Sequence, residues 1–277
     1  MNSLDKQIQQ IINVYKLGHF GFGDYLRGCL FLSQLCIHQK KTFLMNYSEH
    51  PINEFLTSIH DIVIPENQLI SYTSNKFNYN HYISFLNKHK QETICLLTNL
   101  FPLKPIHPKV IMNVLNQIQP KDILIQSVQK YLLELKLEKN KFVVIHIRLG
   151  DSILISNEKI SSFALLKIIG ILKKTLKSNE KYLILSDNSF VKRIIHKYFP
   201  FTCFKNTNIT HLGISKNIQR ESVLDTLTDF FLMKHCKHII SFSCYTHRTS
   251  FGEMASLLFC KPFTFHSLLK KQMSIQI

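Results

Sequence analysis

His146, Arg148 and Asp151 fall together in the run KFVVIHIRLGD, Lys141 to Asp151, and an imidazole, a guanidinium and a carboxylate so spaced can hold an anion. Arginine does not lose its charge, and its planar fork makes paired hydrogen bonds to phosphate oxygens. Such a cation can also offset the charge that grows on a diphosphate as a glycosyl bond breaks, which stabilises the transition state more than the ground state. The alternative for Arg148 is a structural ion pair with Asp151 or another acid. His146 precedes Arg148 by two residues, so on a strand both side chains point to one side and can share a ligand. Its alternative is a histidine satisfied within the core. Asp151 can orient Arg148 or cap the segment that follows.

Other groups carry related chemistry. The turn GHFGFGD places Gly18, Gly21 and Gly23 ahead of a helix. It is not a G-x-G-x-x-G fingerprint, but glycines let the backbone approach a ligand at a helix N-terminus, where negative charge is favoured. The other reading is a tight strand-to-helix turn. Arg27, in the first turn of that helix, meets a phosphate or solvent. Asp187 follows a strand, YLIL, and either lines a ligand or caps the next helix. Asp225 and Asp229 lie one helical turn apart; an acid there can accept both N–H groups of a guanine edge, the alternative being a solvated helix face. The turn containing Ser243, Tyr245, Thr246, His247 and Arg248 offers hydroxyls and backbone N–H groups ahead of a helix, a geometry suited to phosphate.

Strands ending at these groups must position them. Phe142, Val143, Val144, Ile145 and Ile147 read as a buried parallel strand, and its C-terminal end is where open α/β sheets bind ligands. The first half opens with a strand over 11–17 and continues through a helix with Tyr25, Cys29, Leu32 and Cys36 on its apolar face and Asp24 as N-cap, then a second strand over 42–47. From Ser48 to Asn140 prolines interrupt the pattern. Helical periodicity returns near 110–117 and 122–136, and the stretch reads as irregular, the natural place for an individual acceptor pocket. The second half alternates more cleanly. Helices with Leu165, Ile168, Ile169, Leu172 and Leu176 inward, and with Phe190, Val191, Ile194, Ile195 and Tyr198 inward, separate short strands; a helix over 221–235, the strand HIISF, a helix near 252–259 and PFTF follow. This predicts an α/β protein with parallel, doubly wound sheets. The charged run ELKLEKNK suggests a boundary, giving an N-terminal Rossmann-like domain over 1–139 and a C-terminal nucleotide-sugar-binding domain over 140–277.

The formal charge of +16 favours an anionic partner, although a bias toward Ile, Lys, Asn and Phe raises the lysine content without any functional demand. Lysines are dispersed over helix faces without the aromatic interleaving of single-strand binders, so nucleic acid is not an expected partner. Seven scattered cysteines with no C-x-x-C pair suggest neither a disulfide framework nor a zinc site. No apolar run approaches the length of a membrane span; FALLKIIGIL is broken by Lys167.

HIRLGD resembles the H-x-R-x-x-D signature of the fucosyltransferase superfamily that includes α1,2-, α1,6- and protein O-fucosyltransferases. GFGDYLRG with TFLMNYS, then YLILSDN, then DFFLMKHCKHIISFSCYTHRTSFGEMASLL, are similar to that family's further elements in the same order, covering roughly residues 13–48 and 141–260. The resemblance implies a GT-B-like fold of two facing Rossmann-like domains and an inverting, metal-independent transfer of fucose from GDP-fucose to a hydroxyl of a glycan or glycolipid. It implies that Arg148 holds the β-phosphate, that His146 and Asp229 contact guanine or its ribose, and that Asp187 sits by the nucleoside. Ser243, Tyr245 and Thr246 would bind the diphosphate, with Asp151 in the motif and Gly21, Gly23 and Arg27 on the other domain's side. No cofactor or metal is expected, in keeping with the lack of a D-x-D motif. Leu149 stands where some relatives place a second arginine, which leaves the linkage open. The general base is sought among Glu158, Asp24 and His19. Family members commonly carry a membrane anchor; this chain shows none, which suggests a cytoplasmic enzyme whose basic surface can contact anionic membrane. Two alternatives stand beside this reading: a GT-B enzyme using another nucleotide sugar, and a non-enzymatic basic protein that binds nucleic acid or glycan.

Overall fold

A computed structural model describes residues 10–57, 64–71, 79–88, 93–150, 160–206, 209–213, 218–245 and 248–269. The chain divides into two compact units, one comprising Met1–Ile125 with Leu212–Ile218, the other Gln126–His211 with Gln219–Ile277.

The first unit is built on strands β1 (Gln10–Val14), β2 (Thr42–Asn46), β4 (Leu69–Ser71) and β5 (Thr93–Leu97), all parallel, in the order β2-β1-β5-β4. A short antiparallel pair, β3 (Leu56–Thr57) with β6 (Gln119–Pro120), stands apart. The stretch read as irregular therefore contributes a strand, β5, to the middle of the sheet. Its apolar run TICLL is too short and too close to polar neighbours to stand out from a buried loop segment.

Helix α1 (Phe22–His38) is buried on nearly every face, with Tyr25, Cys29, Leu32 and Cys36 all in the core. Its N-cap is Gly21, not Asp24, which lies in the first turn, where its charge suits the helix dipole. Asn13 on β1 is tied to the residue that follows β5: its amide nitrogen donates to the Thr98 carbonyl at 3.3 Å, and its amide oxygen accepts from the Thr98 N–H at 3.2 Å. A Cβ on Gly28 would collide with that same carbonyl, so only glycine lets α1 lie this close. Helices α2 (Tyr79–Lys88) and α3 (Pro108–Leu115) complete the unit.

Leu212 and Gly213, far along the chain, also belong here. The Gly18 N–H donates to the Gly213 carbonyl at 2.6 Å. His50 is buried and stacks on Tyr15 at 3.9 Å between ring centres. Its Nδ1 accepts from the Ile52 N–H at 3.2 Å, so Nε2 carries the proton and donates to the Leu212 carbonyl at 2.7 Å. Burial holds this imidazole down to about 4, against the pull of the Leu212 carbonyl, and it is neutral at physiological pH.

Helix α4 (Asp122–Glu134) spans the division between the units. The second unit then runs β7 (Phe142–Arg148), α5 (Ser162–Thr175), β8 (Lys181–Ser186), α6 (Ser189–Tyr198), β9 (Thr202–Cys203), α7 (Arg220–Leu232), β10 (His238–Ser243), α8 (Ser250–Leu258) and β11 (Phe263–Ser267). Its five strands are parallel in the order β11-β10-β7-β8-β9. The first strand is central, and the order reverses between β7 and β10, the switch point at which α/β sheets open a crevice at their carboxyl ends. Ile145, Ile147, Ile184 and Phe242 pack with Ile168, Leu172, Val191 and Ile195 in a continuous core on one side. Among the described residues, no helix is long and apolar enough to cross a membrane.

Candidate functional site

Arg148 is the last residue of β7 and stands in register with Ser243, the last of β10. The guanidinium therefore sits at the switch point itself. Its Nη1 bonds the Asp187 carboxylate at 2.7 Å, and the Leu149 N–H lies 3.1 Å and 3.2 Å from the two carboxylate oxygens. Asp187 is thus a backing for Arg148. Asn188 takes the capping role considered for Asp187, its side chain accepting from the Val191 N–H at 3.0 Å. Burial raises the Asp187 carboxyl above its ordinary range, opposed by Arg148 and by the Leu149 N–H.

His146, one strand turn earlier on the same side, is buried. Its Nδ1 lies 3.2 Å from the Ser241 hydroxyl and 3.4 Å from that of Thr249, and its ring stacks on Phe251 at 5.7 Å. Ser241 stands opposite His146 in the β7/β10 register. Among the described residues Nε2 has no hydrogen-bond partner. Burial, reinforced by Arg148, holds this imidazole down to about 3, so it works as a neutral hydrogen-bonding group and not as a cation. A Cβ on Gly252 would come within 3.0 Å of Nδ1, so α8 starts tight against the ring.

The turns beyond β7 and β10 interlock. Gly150 has φ +107°, and a Cβ there would meet the Cys244 sulfur at 2.9 Å and the Tyr245 hydroxyl at 3.6 Å. The Cys244 thiol donates to the Leu149 carbonyl at 2.7 Å. Ser243 is fully buried, and its hydroxyl accepts from the Tyr245 N–H at 3.0 Å, shaping the turn. Asp151, Glu158 and Thr246 lie outside the described residues.

A second polar cluster flanks this edge. Asp229 on α7 is buried, not on a solvated face. Its carboxyl is pushed up to about 7 by burial and by nearby Asp225, against Lys192 and Lys205. Asp225 accepts from the Tyr131 hydroxyl at 2.8 Å, and Lys205 lies 3.4 Å above the Tyr131 ring. Lys192 on α6 is only 1% exposed and donates to the Lys205 carbonyl at 2.9 Å.

In the first unit, Arg27 is not solvated. It is buried, its Nε donates to the Asn99 carbonyl at 2.7 Å, its Nη1 pairs with Asp24 at 2.9 Å, and its guanidinium covers the Phe101 ring at 3.9 Å. Gly21 and Gly23 flank the start of α1, and a Cβ on Gly213 would collide with the Phe20 carbonyl and the Gly21 N–H. The glycine turn is therefore braced from outside. Asp24 is committed to Arg27, and His19 lies exposed near Phe20.

The sequence pointed to His146 and Arg148 but not to Ser241, Thr249, Gly252 or Lys192. Ser241 was within reach, since period-two alternation along HIISFS sets Ser241 and Ser243 on one side.

This architecture is the α/β, GT-B-like fold of the fucosyltransferases. The NodZ α-1,6-fucosyltransferase soaked with GDP-fucose, an enzyme solved from Bradyrhizobium, superposes with a TM-score of 0.58 over 91% of this chain and 93% of its own, at 15% identity. A variant of Arabidopsis thaliana FUT1 in complex with GDP gives 0.61 over 98% of this chain and 73% of its own, at 10% identity. POFUT1 in its apo form gives 0.53 over 96% and 99%, also at 10%. No family model and no curated protein matches the sequence.

Proposed function

We propose that the chain is an inverting, metal-independent fucosyltransferase that moves fucose from GDP-fucose to a hydroxyl of a glycan or glycolipid. The observation that carries this reading is Arg148 at the β7/β10 switch point, backed by Asp187 at 2.7 Å, within a fold shared with solved fucosyltransferases. NodZ and POFUT1 have both been solved with GDP-fucose.

The chemistry follows from the residues. As the bond between the anomeric carbon and the β-phosphate oxygen breaks, charge grows on the diphosphate, and Arg148 faces it with a cation fixed beforehand by Asp187. The acceptor oxygen forms the new bond from the opposite side of the sugar and gives its proton to a general base. Glu158 and Asp24 are the candidates, Asp24 requiring release from Arg27. His146 addresses the nucleoside through Nε2, Asp229 accepts from guanine, and Ser243, Tyr245 and Thr246 shape the diphosphate turn, with Asp151 beside it.

A thermal-shift panel of GDP, UDP, CDP and ADP tests the reading, because a ligand that binds only the folded state raises its stability. GDP alone is expected to stabilise the protein, and Arg148→Ala to abolish the effect. Preference for UDP would retain a glycosyltransferase and reject fucose. Indifference to all four would reject the donor site.

A further inference from the structure

Helices α5 and α6 pack beside one another on one side of the second unit's sheet, where Ile168, Leu172, Val191 and Ile195 share a core. Their outer surface combines two kinds of residue. Phe163 and Leu166 on α5, with Phe190 and Tyr198 on α6, are 46% to 67% exposed. Lys173, Lys174, Arg193 and Lys197 are exposed on the same two helices, and neither helix carries an aspartate or a glutamate.

On α5 the exposed residues form one stripe. Phe163, Leu166, Gly170, Lys173 and Lys174 recur at helical spacing, and a Cβ on Gly170 would meet nothing within 4 Å. The stripe adjoins α6 where the Lys173 ammonium lies 5.9 Å from the centre of the Tyr198 ring. At its other end the Lys167 ammonium lies 6.0 Å from the centre of the Phe163 ring and donates at 2.9 Å to the carbonyl of Leu269, a further exposed leucine. The two acids between Ser162 and Tyr198 in sequence are engaged by other cations, Glu180 by Lys237 at 3.0 Å and Asp187 by Arg148 at 2.7 Å.

We infer that the outer face of α5 and α6 is a docking surface for a bilayer containing anionic lipid. Charge complementarity selects the occupant: cations without neighbouring acids are drawn to the negative surface potential, which raises affinity roughly fivefold for each lysine or arginine brought near it. Nucleic acid would satisfy the cations alone. Phenyl and leucyl side chains exposed among them gain by entering the boundary between headgroups and acyl chains, and tyrosine suits the same depth. Single apolar side chains on a surface need no explanation, but several along two adjoining helices mark a contact surface. Both helices run back from the carboxyl edge of a parallel sheet, so Phe163, Leu166 and Phe190, near the helix starts, lie toward the edge that carries Arg148. A bilayer seated there would hold a lipid-linked acceptor beside that edge. This last consequence rests on the function proposed above; the docking itself does not.

Sedimentation of the full chain with extruded vesicles tests the inference and needs no nucleotide, so its failure leaves the donor site untouched. The protein is expected to pellet with phosphatidylcholine vesicles carrying about 30% phosphatidylglycerol, far less with phosphatidylcholine alone, and less as salt rises to about 0.5 M. Phe163→Ser with Leu166→Ser should weaken partition at least about tenfold at unchanged charge. Lys173→Ala with Lys174→Ala should weaken it roughly twentyfold. Lys139→Ala with Lys234→Ala, an equal loss of charge at exposed lysines off this face, should change it by less than about twofold. All the substituted side chains are exposed, and an unchanged melting temperature shows that each variant is folded. Failure to pellet with either vesicle, equal binding to both, an apolar pair without effect, or a control pair as damaging as K173A/K174A overturns the inference. So does tighter binding to a single-stranded oligonucleotide that F163S/L166S leaves intact, which would assign the face to nucleic acid.

Discussion

The guanidinium of Arg148 reaches 2.7 Å from the carboxylate of Asp187, across 39 residues of sequence and two neighbouring strands, with that carboxylate almost wholly buried. Removing one member of such a pair leaves the other charge buried and uncompensated, which costs roughly 3–5 kcal/mol. Arg148→Ala should therefore lower stability as well as abolish the GDP-induced thermal shift. Asp187→Asn in the same chain should restore most of the stability without restoring the shift. Urea unfolding of the single and double variants separates the two effects; full recovery of both would remove Arg148 from the donor site.

Asp229 predicts a conflict between stability and binding. Its folded-state carboxyl titrates near 7, above the unfolded value, so between about pH 4 and 7 the folded state holds the proton more tightly, and stability is lost as pH rises through this window. Asp229→Asn should raise the melting temperature of the ligand-free protein at pH 8, on the order of a few degrees, and much less at pH 4. The same change should abolish preference for GDP. An equal change in melting temperature at both pH values would show that its charge carries no cost.

His146 has the opposite sign. Its folded-state value near 3 lies below the unfolded one, so the unfolded chain takes up a proton that the folded protein refuses, and stability falls as pH drops from about 6.5. Replacing it with Gln should flatten the loss of urea midpoint between pH 7 and pH 5. The expected difference is on the order of 1 kcal/mol per pH unit.

Two glycines should respond oppositely to alanine. Gly150 has φ +107° and no room beside the Cys244 sulfur, so Gly150→Ala should cost about 1–3 kcal/mol. Gly170 lies within helix α5 with nothing within 4 Å of its absent Cβ, and Gly170→Ala should gain about 0.5–1 kcal/mol from helix propensity alone. Denaturant midpoints of the two variants check the pair.

What the sequence made legible was whatever a single element decides. The apolar run of β7 announced a buried strand, and the alternation of His146 with Arg148 placed both on one side of it. Elements decided by their neighbours were harder to read. On α6, periodicity turned Phe190 and Tyr198 inward, yet both are about half exposed while Lys192 is buried. An apolar count cannot foresee that a lysine turns inward to donate to a backbone carbonyl, that of Lys205. Asp187 and Asn188 are adjacent and chemically interchangeable as caps; only Arg148, contributed by another strand, assigns their roles. The strand β5 escaped because its neighbour in the sheet, β1, lies some eighty residues earlier in the chain.

The bond from Gly18 to Gly213, and that from His50 to Leu212, have a practical consequence for anyone dividing this protein. A fragment ending at the first junction between the units would lose two carbonyls supplied from beyond residue 200, leaving a buried imidazole N–H and a turn amide without acceptors. Such a fragment is expected to be poorly soluble or partly unfolded. A functional dissection would have to restore Leu212 and Gly213 in trans, as a short peptide, or rejoin them by a new linker.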